Sequence, residues 1–251
     1  MVQEAMNLGG EWTDVSLFTP YQNEQALLYE YADCVGARAF LKMAGLPFRQ
    51  EQRPNAEFMS PLPGKVPFLK LPNALVAEFD GIVDAVTKRG VKLSSTLTDA
   101  EIADMQAHIA LINDVLKHAE MSIVWLDNAT YKKVTRNRYG SVYFWPLNSL
   151  LPILKHREMS TYLKNVGWGN KSIEEIVKLC DRCFRSLSVK LGQHNYFVGD
   201  QPTELDALAF GHLYTILTTE LPNMDLVNTL KKYPNLIAFC RRIDEEFFAA
   251  Q

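Results

Sequence analysis

Within the 251 residues of the chain, Gly199-Asp200-Gln201-Pro202-Thr203-Glu204-Leu205-Asp206 narrows the possible folds most sharply. Thr203 and Asp206 have the spacing at which a cap hydroxyl accepts from the backbone N–H three residues on, while that residue's carboxylate accepts from the cap N–H. The pattern therefore predicts where a helix begins. The next thirteen residues, Ala207 to Thr219, carry no formal charge and include Leu208, Phe210, Leu213, Tyr214, Ile216 and Leu217. A helix apolar on every side has to lie inside a protein. The chain must build an assembly around this segment, and 47% apolar residues supply the material.

From Thr98 onward the pattern is helical. Thr98-Asp99-Ala100-Glu101 and Ser172-Ile173-Glu174-Glu175 both fit the reciprocal capping pattern. Ile102, Met105, Ile109, Ile112 and Leu116 form one apolar stripe, and Gly192 supplies a C-terminal stop. The earlier half reads differently. Gln25 to Glu30 is a short apolar run taken as a buried strand. A helix capped by Asp33 follows, with Val35, Ala39 and Met43 on one face. Strands are expected at Phe48 to Gln52, Gly64 to Leu71 and Ala74 to Glu78, then a short helix from Gly81 to Lys88. The order β-α-β-β-β-α indicates a small α/β unit, separated from the helical part by the polar cluster Ser94-Ser95-Thr96. The expected organisation is an arm over 1–23, an α/β domain over 24–92 and an all-helical domain over 98–251.

A net charge of -3 and a pI near 6.0 give no global field for nucleic acid or membranes. The four cysteines, Cys34, Cys180, Cys183 and Cys240, are too scattered for a disulfide scaffold and point to a reducing compartment. Met1 to Gly10 carries Glu4 and neither a basic residue nor an apolar stretch, so no signal peptide or cleaved presequence is expected. Phe144 to Leu154, the longest apolar region, falls short of the roughly 20 residues of a spanning helix and is broken by Pro146 and Pro152. A soluble or peripheral protein is expected.

Pro67 lies where a strand should run and has no N–H for the ladder, which places it at a strand start or edge. Val66-Pro67 looks like the cis-proline element that opens the third strand of thioredoxin-like domains and leaves the preceding backbone free for a ligand's main chain. The pattern Gly-Asp-x-x-Thr-x-x-Asp at Gly199 to Asp206, with Leu205 in place of the usual alanine, resembles the folding motif of glutathione transferases. Tyr233 to Ile243 is similar to that family's last long helix. The resemblance covers most of the chain and implies a thioredoxin-like domain followed by an all-helical domain.

It also implies a ligand site. In the enzymes a hydroxyl or thiol at the first helix start activates the glutathione sulfur, and a Glu/Gln-Ser pair after the fourth strand holds the γ-glutamyl carboxylate. Cys34 stands at the first place, where a helix dipole would lower its pKa, and Glu78 at the second. That favours a glutathione-dependent transferase or thiol transferase using Cys34. Phe79 follows Glu78, however, and a ring instead of a hydroxyl costs the anion its donor, on the order of a few kcal/mol. Asp80 adds repulsion. Cys34, Val66, Pro67, Glu78 and Phe79 are therefore read as a vestigial site with no cofactor and no catalytic residue. Cys180 and Cys183 lie within a helical pattern without a second Cys/His pair, so core packing is expected rather than a metal site, and His212 is read as a hydrogen-bonded core residue.

Residues 131–171 hold eight lysines or arginines against one acid, Glu158, interleaved with seven aromatics. Such a mixture suits docking on an anionic surface or partner, and Lys132, Lys133, Arg136, Arg138, Tyr143, Trp145 and Trp168 are the residues singled out for it. Arg138 to Asn148, Gly167-Trp168-Gly169, Asn55 to Pro61 with Gly64 to Phe68, and Pro202 to Thr219 resemble metaxin sequences. The resemblance is to the metaxin type that has no spanning helix and is held at the membrane through its partner. It implies a non-enzymatic subunit on the cytosolic face of the mitochondrial outer membrane. Its implied partners are metaxin-1, as a heterodimer, and the barrel-inserting subunit of the sorting and assembly machinery. A scaffold linking mitochondria to cytoskeletal motor adaptors is a further reading; nucleic acid is not an expected partner.

Overall fold

A computed structural model of the chain describes residues 12–249. Its first half is built on a sheet of order β2-β1-β3-β4, comprising β1 (Ser16–Thr19), β2 (Arg49–Gln52), β3 (Phe68–Leu71) and β4 (Ala74–Ala77). β1 runs parallel to β2, pairing Leu17 with Gln50, and antiparallel to β3, pairing Leu17 with Leu69. β3 and β4 form the expected antiparallel hairpin. Two parallel strands need a crossover, and helix α1 (Leu28–Met43) supplies it. Leu17, Leu69 and Leu71 join Phe40 of α1 and Ile82 and Val86 of α2 (Phe79–Thr87) in the main core. The other sheet face carries a smaller cluster around Phe68, stacked on Phe18 at 4.7 Å.

The start of this half differs from expectation. Of the expected arm, residues 1–11 lie outside the described residues, while Ser16–Thr19 is the strand paired on both sides. Ala26 and Leu27 precede α1 and Leu28 to Glu30 are its first turn, so the expected strand over 25–30 is a helix start. Four apolar residues in a row suit either element, and only the unread β1 resolves the choice. Glu30 reaches back to the Leu27 N–H at 3.0 Å and caps the helix, leaving Asp33 inside it.

The second half is helical as expected. Helix α3 (Asp99–Leu111) passes through a π turn, Ile112–Leu116, into α4 (Lys117–Leu126). After two short turns come α5 (Arg136–Gly140), α6 (Leu147–Asn165), α7 (Ile173–Leu191), α8 (Glu204–Thr218), α9 (Asp225–Leu230) and α10 (Pro234–Phe247). The capping patterns at Thr98 and Ser172 form with both hydrogen bonds present, and Gly192 ends α7 at a φ of 54°. In α8 every residue from Glu204 to Leu213 is buried, so the all-round apolar character is used. Burying a side chain such as Phe210 or Leu208 stabilises the fold by about 1.5–3 kcal/mol each.

At the head of α8 the Asp206 carboxylate accepts from the Thr203 N–H at 2.8 Å, from the Thr203 hydroxyl at 2.7 Å and from the Phe197 N–H at 2.9 Å. The reciprocal capping arrangement expected between Thr203 and Asp206 is thus present, and the hydroxyl also donates to the carboxylate. Gly199 turns the chain at a φ of 72°, and Asp200 is exposed.

The two halves meet where α1 crosses α8. A Cβ on Gly211 would lie 2.5 Å from the Ala32 carbonyl oxygen and 2.7 Å from the Gly36 nitrogen, so the backbones touch where neither glycine has a side chain. Among the described residues no helix is long and apolar enough to cross a membrane.

Candidate functional site

The cleft beside this crossing gathers most of the residues expected to form a ligand site. The Val66-Pro67 bond is cis, and the Pro67 carbonyl accepts from the Glu78 N–H at 2.8 Å. Glu78 follows β4 with a φ of 63°, a left-handed conformation that strains a residue with a Cβ. Its carboxylate is already engaged, 3.1 Å from Lys65 Nζ and 3.6 Å from Lys117 Nζ. Burial pushes this carboxyl up, but the two lysines outweigh burial and hold it below its ordinary range. The Phe79 ring is turned into the core, edge-on to Phe40 at 6.0 Å, so it blocks a hydroxyl site and fills a hydrophobic one.

Cys34 does not stand at a helix start. Because α1 begins at Leu28, Cys34 lies well inside it, buried at 4% exposure. Burial, with Asp33 and Glu30 nearby, pushes its thiol well above the ordinary value. The dipole argument for an activated sulfur is therefore reversed. The crevice beside Cys34 and that beside Val66 hold about 10 Å³ each. Small-molecule pockets run to about 300 Å³ and above. Cys180 and Cys183 are buried in α7, where burial pushes the Cys183 thiol up to about 12.

The cleft's main chemistry adds two residues that sequence reasoning passed over, Lys117 and Glu120, to Asp33 and His212. Lys117 Nζ lies 2.9 Å from the Asp33 carboxylate, and behind it His212 Nδ1 meets Glu120 Oε1 at 2.9 Å. His212 Nε2 faces Asp33 Oδ1 at 3.9 Å. Burial lowers the imidazole pKa, but Glu120 and Asp33 overcome this and hold it above its ordinary value. The network therefore balances two buried acids against a lysine and a histidine, as buried charge requires. His212 is the hydrogen-bonded core residue expected. A signal for Glu120 did exist: one acid in the otherwise uncharged run from Ala119 to Leu126 has to find a buried partner.

The expected docking residues fall into two groups. Trp168 is 5% exposed, stacks on His118 at 5.6 Å and belongs to the core. Tyr143 turns inward, its hydroxyl donating to Glu57 at 3.3 Å, and Arg138 donates to the Ala26 carbonyl at 2.8 Å. Trp168 therefore offers no free face, while Tyr143 and Arg138 are only half-buried. Lys132, Lys133 and Arg136 are exposed. Lys132 and Arg136 line an open basin of about 360 Å³ together with Tyr143 and Asn148. Beyond its edge Phe144 and Trp145, 90% and 82% exposed, head α6. Phe144, a member of the aromatic segment not singled out from the sequence, is the more exposed of the two.

Comparison with known proteins bears on both regions. A family model described as "Outer mitochondrial membrane transport complex protein" matches residues 34–156, and one described as "Glutathione S-transferase, C-terminal domain" matches residues 180–243. The chain is 48% identical over 214 residues to the "Metaxin-2 homolog" of Caenorhabditis elegans, covering 85% of this chain and 93% of that protein. It is 44% identical over 235 residues to "Metaxin-2" of Homo sapiens, covering 94% and 89%. "Metaxin-1" of Mus musculus is 28% identical over 223 residues, covering 86% and 70%. Among solved structures, the β-etherase LigF from Sphingobium sp. strain SYK-6 matches with a TM-score of 0.59 at 17% identity, covering 95% of this chain and all of that one. Glutathione transferase F7 from Populus trichocarpa matches with a TM-score of 0.56 at 13% identity, covering 92% and 94%. At such identities the structural likeness concerns the glutathione-transferase fold, with its small mixed sheet and helical region, and no more.

Proposed function

The chain belongs to the metaxin family, and from that premise we propose that it is a non-catalytic subunit of the mitochondrial outer-membrane machinery that sorts and assembles β-barrel proteins. It acts with metaxin-1, as a peripheral protein on the cytosolic face. The observation that carries the non-catalytic reading is Lys117. Its ammonium bridges Asp33 and Glu78, so the carboxylate that would hold a ligand's amino-acid end is bound within the protein. Phe79, buried where the resembling enzymes present a hydroxyl, and the high thiol pKa of Cys34 support the same reading. The matched family description, a transport complex of the outer mitochondrial membrane, supports the location and the assembly.

Affinity purification of the tagged chain from detergent-solubilised outer membrane tests the proposal. Recovery of a second metaxin with the barrel-inserting subunit is expected, and recovery of neither overturns it. The enzymatic alternative has a separate test: retention on glutathione resin that disappears in Cys34→Ala would restore a transferase reading.

A further inference from the structure

The surface around the start of α6 reverses the usual distribution of side chains. Phe144 and Trp145 are almost fully exposed, and Leu147, Leu150 and Leu154 along α6 are each close to half exposed. The apolar surface continues across the other domain at Phe58, 63% exposed, whose ring lies 6.5 Å from that of Tyr143. So many large apolar groups in one exposed area mark a contact surface on a soluble fold.

Its electrostatic setting says what kind. Lys132 and Arg136 border it in the basin they share with Tyr143 and Asn148, and Lys133 is next to Lys132 in the chain; all three are exposed and without an acidic partner among the described residues. Of the acids around it, Glu57 is buried behind Tyr143 and Glu158 is paired with Lys155 at 2.8 Å; Glu24 faces solvent on the flank where its carbonyl meets Ser141. Aromatic and leucine side chains projecting from one helix end, bordered by unpaired cations, are what an interfacial lipid-binding element requires. The rings and leucines enter the headgroup and acyl boundary, and the cations stay at the phosphates. A protein partner's pocket would need acids distributed to meet three separate cations. A leaflet of anionic lipid offers them anywhere.

We propose that this ridge, Phe144 and Trp145 with the start of α6 and the Lys132, Lys133 and Arg136 border, docks the protein directly on an anionic phospholipid surface, independently of any partner subunit. The inference stands apart from the import-subunit reading, since it concerns pure lipid and survives if no import partner is recovered.

The full-length chain is mixed with phosphatidylcholine vesicles, and with vesicles in which about a fifth of the lipid is phosphatidylinositol. Trp12, Trp125 and Trp168 are buried at 8%, 0% and 5% exposure, so a blue shift of emission on binding reports on Trp145. Co-sedimentation and the blue shift are expected with the anionic vesicles and should weaken as salt is raised. The double variant Phe144→Ser with Trp145→Ser should lower the partition coefficient at least about tenfold. Replacing Lys132, Lys133 and Arg136 by glutamine should lower it about a hundredfold, with unchanged thermal melting as the folding control. Equal binding by the serine variant, or equal binding to both vesicle types, overturns the proposal. So does a wild-type chain that ignores vesicles while losing a protein partner in the serine variant, which would assign the ridge to a protein.

Discussion

The cleft and the ridge are opposite departures from the ordinary protein, one hiding charge and the other displaying hydrocarbon. In the cleft, Asp33, Glu120 and His212 are buried and Lys117 is nearly so, yet each finds a partner within the fold. On the ridge, Phe144 and Trp145 find none. A site whose charges are paired internally offers a ligand little, whereas an apolar surface left open needs something from outside. The two regions of this molecule are thus told apart by whether their groups find partners within the fold.

The contrast would break first at Lys117. Lys117→Met leaves the buried Asp33 without its close cation and Glu78 with Lys65 alone, and should cost about 3–5 kcal/mol in chemical denaturation. A loss below about 1 kcal/mol would mean that the cleft is not internally satisfied.

The seam between the two regions gives a smaller effect of opposite sign. Burial, reinforced by Glu57, raises the Glu30 carboxyl from its ordinary 4.5 to about 7. The folded state then keeps this proton longer than the unfolded chain does. The associated stability is complete below about pH 4.5 and is lost as pH rises to about 7. Glu30→Gln, which keeps an acceptor for the Leu27 N–H, should stabilise the protein by about 3 kcal/mol at pH 8 and by almost nothing at pH 4. Denaturation midpoints at the two pH values check the sign.

Thr203→Ala sharpens the comparison within the core itself. It removes one of three donors to the buried Asp206 carboxylate, whose pKa burial raises to about 6, and should cost about 1–2 kcal/mol by thermal unfolding. The ridge lies at the far end of the scale. Phe144→Ser with Trp145→Ser should alter stability by less than about 0.5 kcal/mol, because neither ring is packed. A larger loss would show that the rings serve the fold.

How much of this was legible in the sequence varies with the kind of interaction. Helix starts at Thr98, Ser172 and Thr203 were readable because capping is a local matter of three residues. The buried α8 was readable because thirteen uncharged residues leave no other choice. β1 was not, since Ser16 to Thr19 shows its character only through pairing with Gln50 and Leu69, residues far away in the chain. The misplaced strand at 25–30 follows from that omission, and with it the placement of Cys34 at a helix start. In the candidate site, Glu78 and Phe79 were identified through the resemblance to glutathione transferases, and the cis bond at Pro67 was anticipated from the likeness to thioredoxin-like domains. Lys117 was not, because on α4 it reads as an ordinary solvated lysine until Asp33 is brought to it from α1. The split of the aromatic segment into buried Trp168 and open Trp145 likewise depends on His118 reaching one ring and nothing reaching the other.

The bridge made by Lys117 also makes it hard to build a ligand site around Glu78 by mutation. Phe79→Ser would restore a hydroxyl, but next to a Glu78 still held by two lysines, so that step alone gains no binding. Removing Lys117 first would leave Glu78 still held by Lys65 and take from the buried Asp33 its nearest cation, a step that costs stability before anything is gained. The substitutions depend on one another through a shared charge, so neither is favourable alone. A descendant of this chain has few short routes to an open carboxylate at Glu78, and the bridge acts as a latch in sequence space.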